Sequence, residues 1–475
     1  MESIPTLSQT AAVEKPYLVK LEDYGLKPHL SVKQKLSPLD MNMPRLYGSR
    51  WILCFPLPVD ISKSVVFDDL KKGLAHTISS IPWLSGDVGL EEGSDPNDAR
   101  IQVLEGNGGV KFRYKDLSGV LPSYNELKKG NFTFSKLTTP LISPLQVIQD
   151  SQPVFAAQAN FIEGGLLLTA GVHHSVSDGT GLDFILETWA LNTSAANGSQ
   201  SFRQYDSVSN DRSPLNDGLL ADNIADFPEY VLMPTPPTDP TQMAPPTFEM
   251  PPMSTKIFYL SPESLTELKV AAKAYSTHDA VCGFFWHHMT ASRNPSNDAS
   301  ESGKTSAVLF AVNIRGHTSP PLPQTYLGNA SLGGITQRLS IAVLKDHESG
   351  LAHASAALRS GVNAIHKPSR VPLTIGLLSS RPNPQDFKFA AHGFLGPDIT
   401  ATSWANMGVR DREWGILGKP EGFRVPYEAA DGVIAIFPKL EDGGLEVMSG
   451  LESASMERML NNPGFQKFAQ ETGRN

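Results

Sequence analysis

Cysteine, an excess of positive charge and long apolar segments are all scarce in this 475-residue sequence. Its two cysteines, Cys54 and Cys282, stand outside any CxxC or CxxH spacing, which excludes a disulfide framework and a thiolate zinc site. The 40 basic residues are outnumbered by 49 acidic ones, and the formal charge of −9 disfavours a nucleic-acid-binding surface. No segment reaches the roughly 18 unbroken apolar residues that a membrane span needs, and the first residues do not resemble a secretion signal. We therefore expect a cytoplasmic protein that acts on small molecules and binds neither nucleic acid nor membrane.

The composition is that of a globular chain, with 40% hydrophobic and 19% charged residues, and the length is sufficient for two domains. Between residues 211 and 255 the sequence becomes polar and rich in proline, which excludes a regular helix or an inner strand there. We therefore place an N-terminal domain at residues 1–210, a linker at 211–255 and a C-terminal domain at 256–475.

Apolar periodicity predicts alternating strands and helices in both halves. In the first half we expect strands at 51–56 and 165–172, each followed by a helix. In the second half the predicted elements are strands at 256–260, 307–314 and 332–341, helices at 277–293 and 346–365, and a hairpin turning at 441–444. The segment 165–172 is apolar throughout, which is typical of a strand buried on both faces. The predicted class is α/β, with a mixed sheet flanked by helices in each domain.

The segment HHSVSDG, residues 173–179, directly follows that buried strand and precedes an amphipathic helix. A histidine with an ordinary pKa of about 6.5 can accept a proton at neutral pH once its tautomer and orientation are held. We expect Asp178 to structure this loop and steady an imidazole, and Gly179 to adopt a positive φ that other residues resist. Reactive groups are often presented at strand ends in α/β sheets. The motif therefore predicts a catalytic histidine on a strand-to-helix loop.

The same residues allow two other interpretations. His173 and His174 could be partly buried histidines whose hydrogen bonds are satisfied within the core. A metal site formed by His173, His174 and Asp178 is disfavoured, because neighbouring residues on a strand point to opposite faces, and no metal is expected. His287 and His288 follow three aromatic residues on a predicted helix and are interpreted as packing residues.

Beyond this motif, the chain resembles the plant and fungal BAHD acyltransferases, above all their trichothecene 3-O-acetyltransferase-like branch. The similar segments run in order through most of the sequence: LSPLDMNMPR, IPWLSG, HHSVSDG, NDRSPL, THDAVCGFFW, VNIRGHTSPPLPQTYLGNA, ATSWANMG and EWGILGKPEGF. The resemblance implies a two-domain fold like that of chloramphenicol acetyltransferase, with a channel between the domains. It also implies a monomer that uses acyl-CoA, preferably acetyl-CoA, as a cosubstrate for a small-molecule acceptor.

Roles for individual residues follow from the resemblance alone. His174, the second histidine of the pair, matches the general base, and Asp178 matches an aspartate that supports the loop. Thr402 matches a threonine that lies near the reacting carbonyl and stabilises its oxyanion. The residues expected to border the substrates are His173, Gly179 and Trp404.

Two further groups of charged residues are assigned in the second domain. Arg315 matches an arginine that the resemblance pairs with an acidic residue, here Glu413 in EWG where DFG or DWG is usual. This departure favours a structural role for the Arg315–Glu413 pair over a catalytic one. The CoA phosphates require cations, and the candidates that flank elements of the second domain are Lys256, Arg293 and Lys304.

The predicted function is therefore acyl transfer from coenzyme A to a hydroxyl of a secondary metabolite, with an amine as the less favoured acceptor. One alternative is a stand-alone condensation-type domain that uses carrier-protein thioesters, since such domains share HHxxxDG. The other is a catalytically inactive homologue that only binds a metabolite.

Overall fold

The structure is a computed structural model that describes residues 13–95, 98–147, 151–196, 198, 201–221, 223–233, 250–296 and 303–472. The strands are β1 (Val13–Val19), β2 (Gln34–Lys35), β3 (Ser49–Pro56), β4 (Asp87–Leu90), β5 (Ile101–Leu104), β6 (Val110–Asp116), β7 (Phe155–Ile162), β8 (Gly165–Val172), β9 (Tyr230–Leu232), β10 (Met253–Leu260), β11 (Thr305–Ser306), β12 (Val308–Asn313), β13 (Ser331–Ile335), β14 (Leu339–Ser340), β15 (Phe387–Phe389), β16 (Ile399–Ser403), β17 (Gly422–Arg424), β18 (Val433–Ile436), β19 (Leu445–Glu452) and β20 (Gln470–Glu471). The helices are α1 (Pro38–Asn42), α2 (Lys63–Ser80), α3 (Tyr124–Lys129), α4 (Thr139–Ile142), α5 (Gly179–Ala196), α6 (Ser207–Asn210), α7 (Pro262–Ala271), α8 (Thr277–Arg293), α9 (Ile341–Lys345), α10 (Gly350–Ile365), α11 (Arg370–Ser379), α12 (Ser453–Leu460) and α13 (Pro463–Gln466).

The first half of the chain forms a mixed sheet with the strand order β1-β6-β7-β8-β3-β17. Every residue of β8 is buried, because β8 lies between β7 and β3 and its two faces are covered. Helices α2 and α5 pack against each other and share one apolar core with this sheet. The predicted strand at 165–172 is therefore confirmed, and the chain leaves its buried end directly into residue 173.

The second half forms another mixed sheet, with the order β13-β12-β16-β18-β19-β10-β20. Strands β12, β16 and β18 run parallel, so their carboxyl ends lie at one edge of the sheet. Helices α8 and α10 contribute apolar residues to the core of this sheet. The predicted two-domain α/β class with mixed sheets and flanking helices is thus observed.

One strand departs from the linear division into domains. Strand β17 belongs to the predicted C-terminal domain, yet it pairs antiparallel with β3 at the edge of the first sheet, with Gly422 opposite Cys54. Strand β9, from the predicted linker, pairs with β15. The boundaries at 210 and 256 stay predictions, and the proline-rich segment 234–249 and the residues 1–12 and 473–475 lie outside the described residues.

The strand predicted at 332–341 is interrupted and ends one residue too late. Strand β13 ends at Ile335, Leu339–Ser340 form the separate strand β14, and Ile341 begins helix α9. The cause is local, because the Ser340 side chain accepts a hydrogen bond from the backbone N–H of Val343 and thereby caps the helix. In the part of the chain that the structure describes, no helix has both the length and the apolar character for a membrane span.

Candidate active site

The loop of residues 173–178, here called the histidine loop, connects β8 to α5. Its first two residues are anchored through their backbones to neighbouring segments. His173 donates its N–H to the carbonyl of Val154 at 2.8 Å, and His174 donates its N–H to the carbonyl of Leu46 at 2.9 Å. Both side chains therefore start from fixed backbone positions.

The two histidines lie in different environments. His173 is fully buried, and its Nε2 lies 2.8 Å from Oε1 of Gln152. Its Nδ1 accepts the backbone N–H of Ser175 at 3.2 Å, and its ring meets that of Tyr47 edge-on. Burial lowers the pKa of His173 to about 3, with the neighbouring His174 and Arg45 acting in the same direction. His173 is thus a neutral histidine held inside the loop, and the expected contact with substrate stays a prediction.

His174 is partly exposed. Its main-chain carbonyl accepts a hydrogen bond from Nδ2 of Asn329 at 2.8 Å. Burial of the ring lowers the pKa of His174, while hydrogen bonding to its own backbone, the charge of Asp178 and hydrogen bonding to the Asn329 side chain oppose this shift. The imidazole is therefore neutral at pH 7, and in chemical terms it can accept a proton. Gly48 is exposed and lies beside the His174 ring, since a Cβ added at Gly48 would lie 3.5 Å from Cδ2 of His174.

Asp178 ends the histidine loop in a buried ion pair with Arg315. The guanidinium reaches both carboxylate oxygens, at 2.9 and 3.0 Å, and the carboxylate also accepts the backbone N–H groups of Gly181 and Ala330. The expected pair between Arg315 and Glu413 is therefore wrong. Glu413 is exposed, and its carbonyl rather than its carboxylate is held, by the hydroxyl of Ser194. Arg315 is fully buried and binds the carboxylate that is buried beside it.

A second buried carboxylate, Asp40, supports the same loop and was missed by the sequence reasoning. It accepts a hydrogen bond from Arg212 at 2.7 Å and two from Asn329 at 2.9 Å each. Arg212 also donates to the carbonyl of Val176 at 2.9 Å, inside the loop. The signal was present, since these residues lie in LSPLDMNMPR, NDRSPL and TYLGNA, but their spacing in sequence did not indicate that they meet.

Gly179 begins helix α5 and faces Trp404 from the second half of the chain. A Cβ at Gly179 would lie 3.0 Å from Nε1 of Trp404 and 3.2 Å from Cε of Met407. The positive φ expected at Gly179 is wrong, because the residue is not among the glycines with positive φ and begins a right-handed helix. Because Gly179 has no side chain, Trp404 and Met407 can approach its backbone closely.

Trp404 follows β16 and is nearly buried, with its ring edge-on to Trp51 of the first sheet and stacked on Phe437. Thr402 lies on the same strand, in register with Ala435, and its side chain is partly exposed. The structure therefore brings Trp404 to the end of the histidine loop, whereas the placement of Thr402 beside a reacting carbonyl stays a prediction.

The three cations expected to hold CoA phosphates are not gathered at one place. Lys256 forms an ion pair with Glu471. Arg293 and Lys304 line a cavity of about 550 Å³, where Arg293 pairs with Asp431 at 2.9 Å. This cavity lies at the amino end of β16, whereas Trp404 follows its carboxyl end. The five-residue strand, roughly 16 Å long, therefore separates the cavity from Trp404. Their assignment stays a prediction, for which Lys256 and Arg293 are less suited than Lys304, because Glu471 and Asp431 already pair with them.

In the described part of the chain, no group of three or more histidine, cysteine, aspartate or glutamate side chains is placed so that it could hold a metal ion.

Residues 26–465 match the Transferase family. The chain is 29% identical over 461 residues to the acyltransferase easC of Emericella nidulans, with 92% of this chain and 95% of the relative covered. It is 26% identical over 445 residues to the trichothecene 3-O-acetyltransferase TRI101 of Fusarium sporotrichioides, with 89% and 93% covered. The fold is similar to the crystal structure of F. sporotrichioides TRI101 complexed with coenzyme A and T-2, with a TM-score of 0.79 at 22% identity and with 93% and 100% of the two chains covered. It is also similar to vinorine synthase, with a TM-score of 0.66 at 17% identity and coverage of 98% and 100%.

Proposed function

Since the chain belongs to the Transferase family of BAHD acyltransferases, we propose that it moves an acyl group, preferably acetyl, from coenzyme A to a hydroxyl of a secondary metabolite, with His174 as the general base. The names of relatives support this choice, because they include an eremophilane O-acetyltransferase of Penicillium roqueforti and the trichothecene enzyme. The observation that carries the proposal is the contrast within the histidine pair. His174 is the partly exposed one, and the side chains of Arg212, Arg315 and Asn329 hold its loop.

In the proposed reaction, the neutral imidazole of His174 takes the proton of the acceptor hydroxyl while the oxygen attacks the thioester carbonyl carbon. The hydroxyl of Thr402 donates a hydrogen bond to the oxyanion that forms on the carbonyl oxygen. The carbon–sulfur bond then breaks, and the leaving thiolate receives the proton from the imidazolium. The products are the ester and free coenzyme A.

Asp178 has no proton-transfer role in this proposal. Arg315 and two backbone N–H groups already occupy its carboxylate, so it acts by holding the end of the histidine loop. Gly179 and Trp404, which meet just after the histidine loop, would border the substrates. We also propose that the enzyme is a cytoplasmic monomer and that Lys304 is the better candidate for the CoA phosphates, since Asp431 already pairs with Arg293.

The test is release of free CoA thiol from acetyl-CoA in the presence of terpenoid, polyketide and alkaloid alcohols, with the ester product identified by mass spectrometry. The wild-type protein should release thiol with at least one class, and folded His174→Ala protein should not. Binding of alcohols without any transfer would instead favour the inactive, metabolite-binding alternative. Transfer only from a carrier-protein thioester would favour the condensation-type alternative.

A further inference from the structure

Asn329 is a fully buried residue of the second half that contacts the histidine loop, two residues before β13 begins. Its side-chain Nδ2 donates to the main-chain carbonyl of His174 at 2.8 Å and to Oδ1 of Asp40 at 2.9 Å. A carbonyl and an ionised carboxylate can only accept hydrogen bonds, so they determine which end of the amide faces them. Oδ1 of Asn329 is therefore the end of the amide that remains to accept a hydrogen bond.

The amide is held in this orientation by a carboxylate that is itself fixed. Asp40 is fully buried, and it accepts the backbone N–H of Asn329 at 2.9 Å as well as its side chain. Asp40 also forms an ion pair with Arg212 at 2.7 Å, and Arg212 donates to the carbonyl of Val176 in the histidine loop at 2.9 Å. Buried contacts therefore set the position of the Asn329 amide relative to the loop.

The imidazole of His174 has one edge towards the interior and one towards solvent. Its Nδ1 is buried. On the opposite edge is Cδ2, which is bonded to Nε2 and would lie 3.5 Å from a Cβ added at the exposed Gly48. Nε2 therefore lies towards the side from which an acceptor hydroxyl can approach, whereas Nδ1 faces the protein.

The buried Nδ1 of His174 and the buried Oδ1 of Asn329 complement each other. Within the described chain, neither atom has a hydrogen bond to a third group. The Asn329 side chain and the main-chain carbonyl of His174 both raise the pKa of the ring, as expected of groups that accept a hydrogen bond from it. A proton on Nδ1 would satisfy Oδ1, whereas a lone pair on Nδ1 would leave both buried atoms unsatisfied, which is costly.

We propose that Asn329 is a positioning residue that keeps the proton of the neutral His174 ring on Nδ1, so that the lone pair of Nε2 is available to the acceptor hydroxyl. Oδ1 of Asn329 accepts the Nδ1–H group, and Nδ2 fixes the main-chain carbonyl of the same histidine. The proposal rests on the proposed function only in naming His174 as the base, because the tautomer is a property of the resting protein.

The first measurement is the ¹⁵N NMR spectrum of histidine-labelled protein at neutral pH, in which protonated and unprotonated ring nitrogens have well-separated chemical shifts. The signals of His174 are identified by their absence from His174→Ala. Asn329→Leu replaces the amide by an apolar group of similar shape. Asn42→Leu is the matched control, because the buried Asn42 amide also joins the two halves, with donated bonds to the carbonyls of Pro384 at 2.8 Å and Phe387 at 2.9 Å.

The wild type should carry the proton of His174 on Nδ1, and Asn42→Leu should show the same tautomer. In Asn329→Leu, a form with the proton on Nε2 should appear. A wild-type spectrum with the proton on Nε2 overturns the proposal even if no variant folds. An unchanged tautomer in Asn329→Leu, shown by thermal unfolding to be folded, also overturns it, because the main-chain carbonyl of His174 would then be sufficient by itself.

The second measurement is steady-state kinetics with an alcohol that supports release of CoA thiol. Asn329→Leu should lower kcat about tenfold or more while the KM for acetyl-CoA stays within twofold, because only the fraction of competent base changes. Asn42→Leu should alter neither value. A shifted tautomer with unchanged kcat would overturn the positioning role. A shifted tautomer in a protein that acylates none of the alcohols would show instead that the proposed function has failed, while the action of Asn329 on the imidazole is supported.

Discussion

Arg315 and Asp178 form a buried two-point ion pair across 137 residues of sequence, with distances of 2.9 and 3.0 Å between their side-chain nitrogens and oxygens. The pair joins the end of the histidine loop in the first half to the turn that begins two residues after β12 in the second half. Arg315 also donates to the carbonyls of Tyr326 and Gly328, so its charge is held from both sides. The loop that carries His174 is thus stabilised by the contact between the two halves.

Removing the charge of Asp178 should destabilise the fold. In Asp178→Asn the guanidinium of Arg315 is left buried without its counter-ion, which should cost about 3 to 5 kcal/mol in the free energy of unfolding. Glu413→Gln is the control, because Glu413 is exposed and its loss should change that free energy by no more than about 0.5 kcal/mol. Denaturant unfolding followed by fluorescence measures both values. Equal stability of the two variants would show that the Arg315–Asp178 pair does not hold the fold.

Replacing the two histidines of the loop should have different effects, on the transfer rate for His174 and on the melting temperature for His173. His174→Ala should lower the transfer rate by about 10² to 10⁴ with little change in melting temperature, because a general base is lost from a partly exposed position. His173→Ala should lower the melting temperature, because it removes the fully buried ring that holds Gln152 and the backbone of Ser175. Single-turnover rates on the folded fraction and thermal scans check the two expectations. The same loss of rate in both variants at matched stability would contradict this division of roles.

A methyl group at Gly179 should disturb the site without unfolding the protein. The new Cβ in Gly179→Ala would lie too close to the side chains of Trp404 and Met407, so both side chains would have to shift by a few tenths of an ångström. We expect kcat/KM to fall by up to about 10²-fold through misplacement of these side chains. Gly316→Ala is the matched control, since a Cβ there meets open space. Steady-state kinetics should therefore distinguish the two, and unchanged kinetics in Gly179→Ala would exclude a tight contact at this position.

Buried histidines should make the fold sensitive to acid. Burial lowers the folded-state pKa of both His173 and His288 to about 3, below the value of about 6.5 expected in the unfolded chain. The unfolded state therefore binds these protons first as the pH falls, so stability is full above about pH 6.5 and decreases towards pH 3. Each group should contribute a slope of about 1.4 kcal/mol per pH unit within that window.

The ring of His288 packs on Phe284, and its Nδ1 is buried without a hydrogen-bond partner in the described chain. His288→Phe should consequently reduce the pH slope of the unfolding free energy between pH 6 and 4 by the share of one histidine. His353→Gln, at an exposed position, should leave the slope unchanged. Denaturant unfolding at several pH values provides the measurement. An identical slope in wild type and His288→Phe would refute the assignment.

Local features of the fold were predictable because their causes are local. The apolar run of β8 and the spacing of apolar residues in α5 indicated the strand, the helix and the loop between them. Helix α8 was predicted with its observed bounds, and the structure shows Ser276 and Asn294 as its caps. The error at Ile341 had the same origin, because the short-range cap at Ser340 competed with a short-range strand signal.

The sequence by itself determined that a histidine pair lies on a strand-to-helix loop, and the resemblance that the sequence carries named the family. Only the tertiary structure decided which carboxylate meets Arg315, that Asp40 and Asn329 support His174, and that Gly179 makes room for Trp404. The physical reason is that attraction between opposite charges carries no information on sequence separation. A chain with 49 acidic residues offers many formal partners for each arginine, and burial in the folded core selects among them.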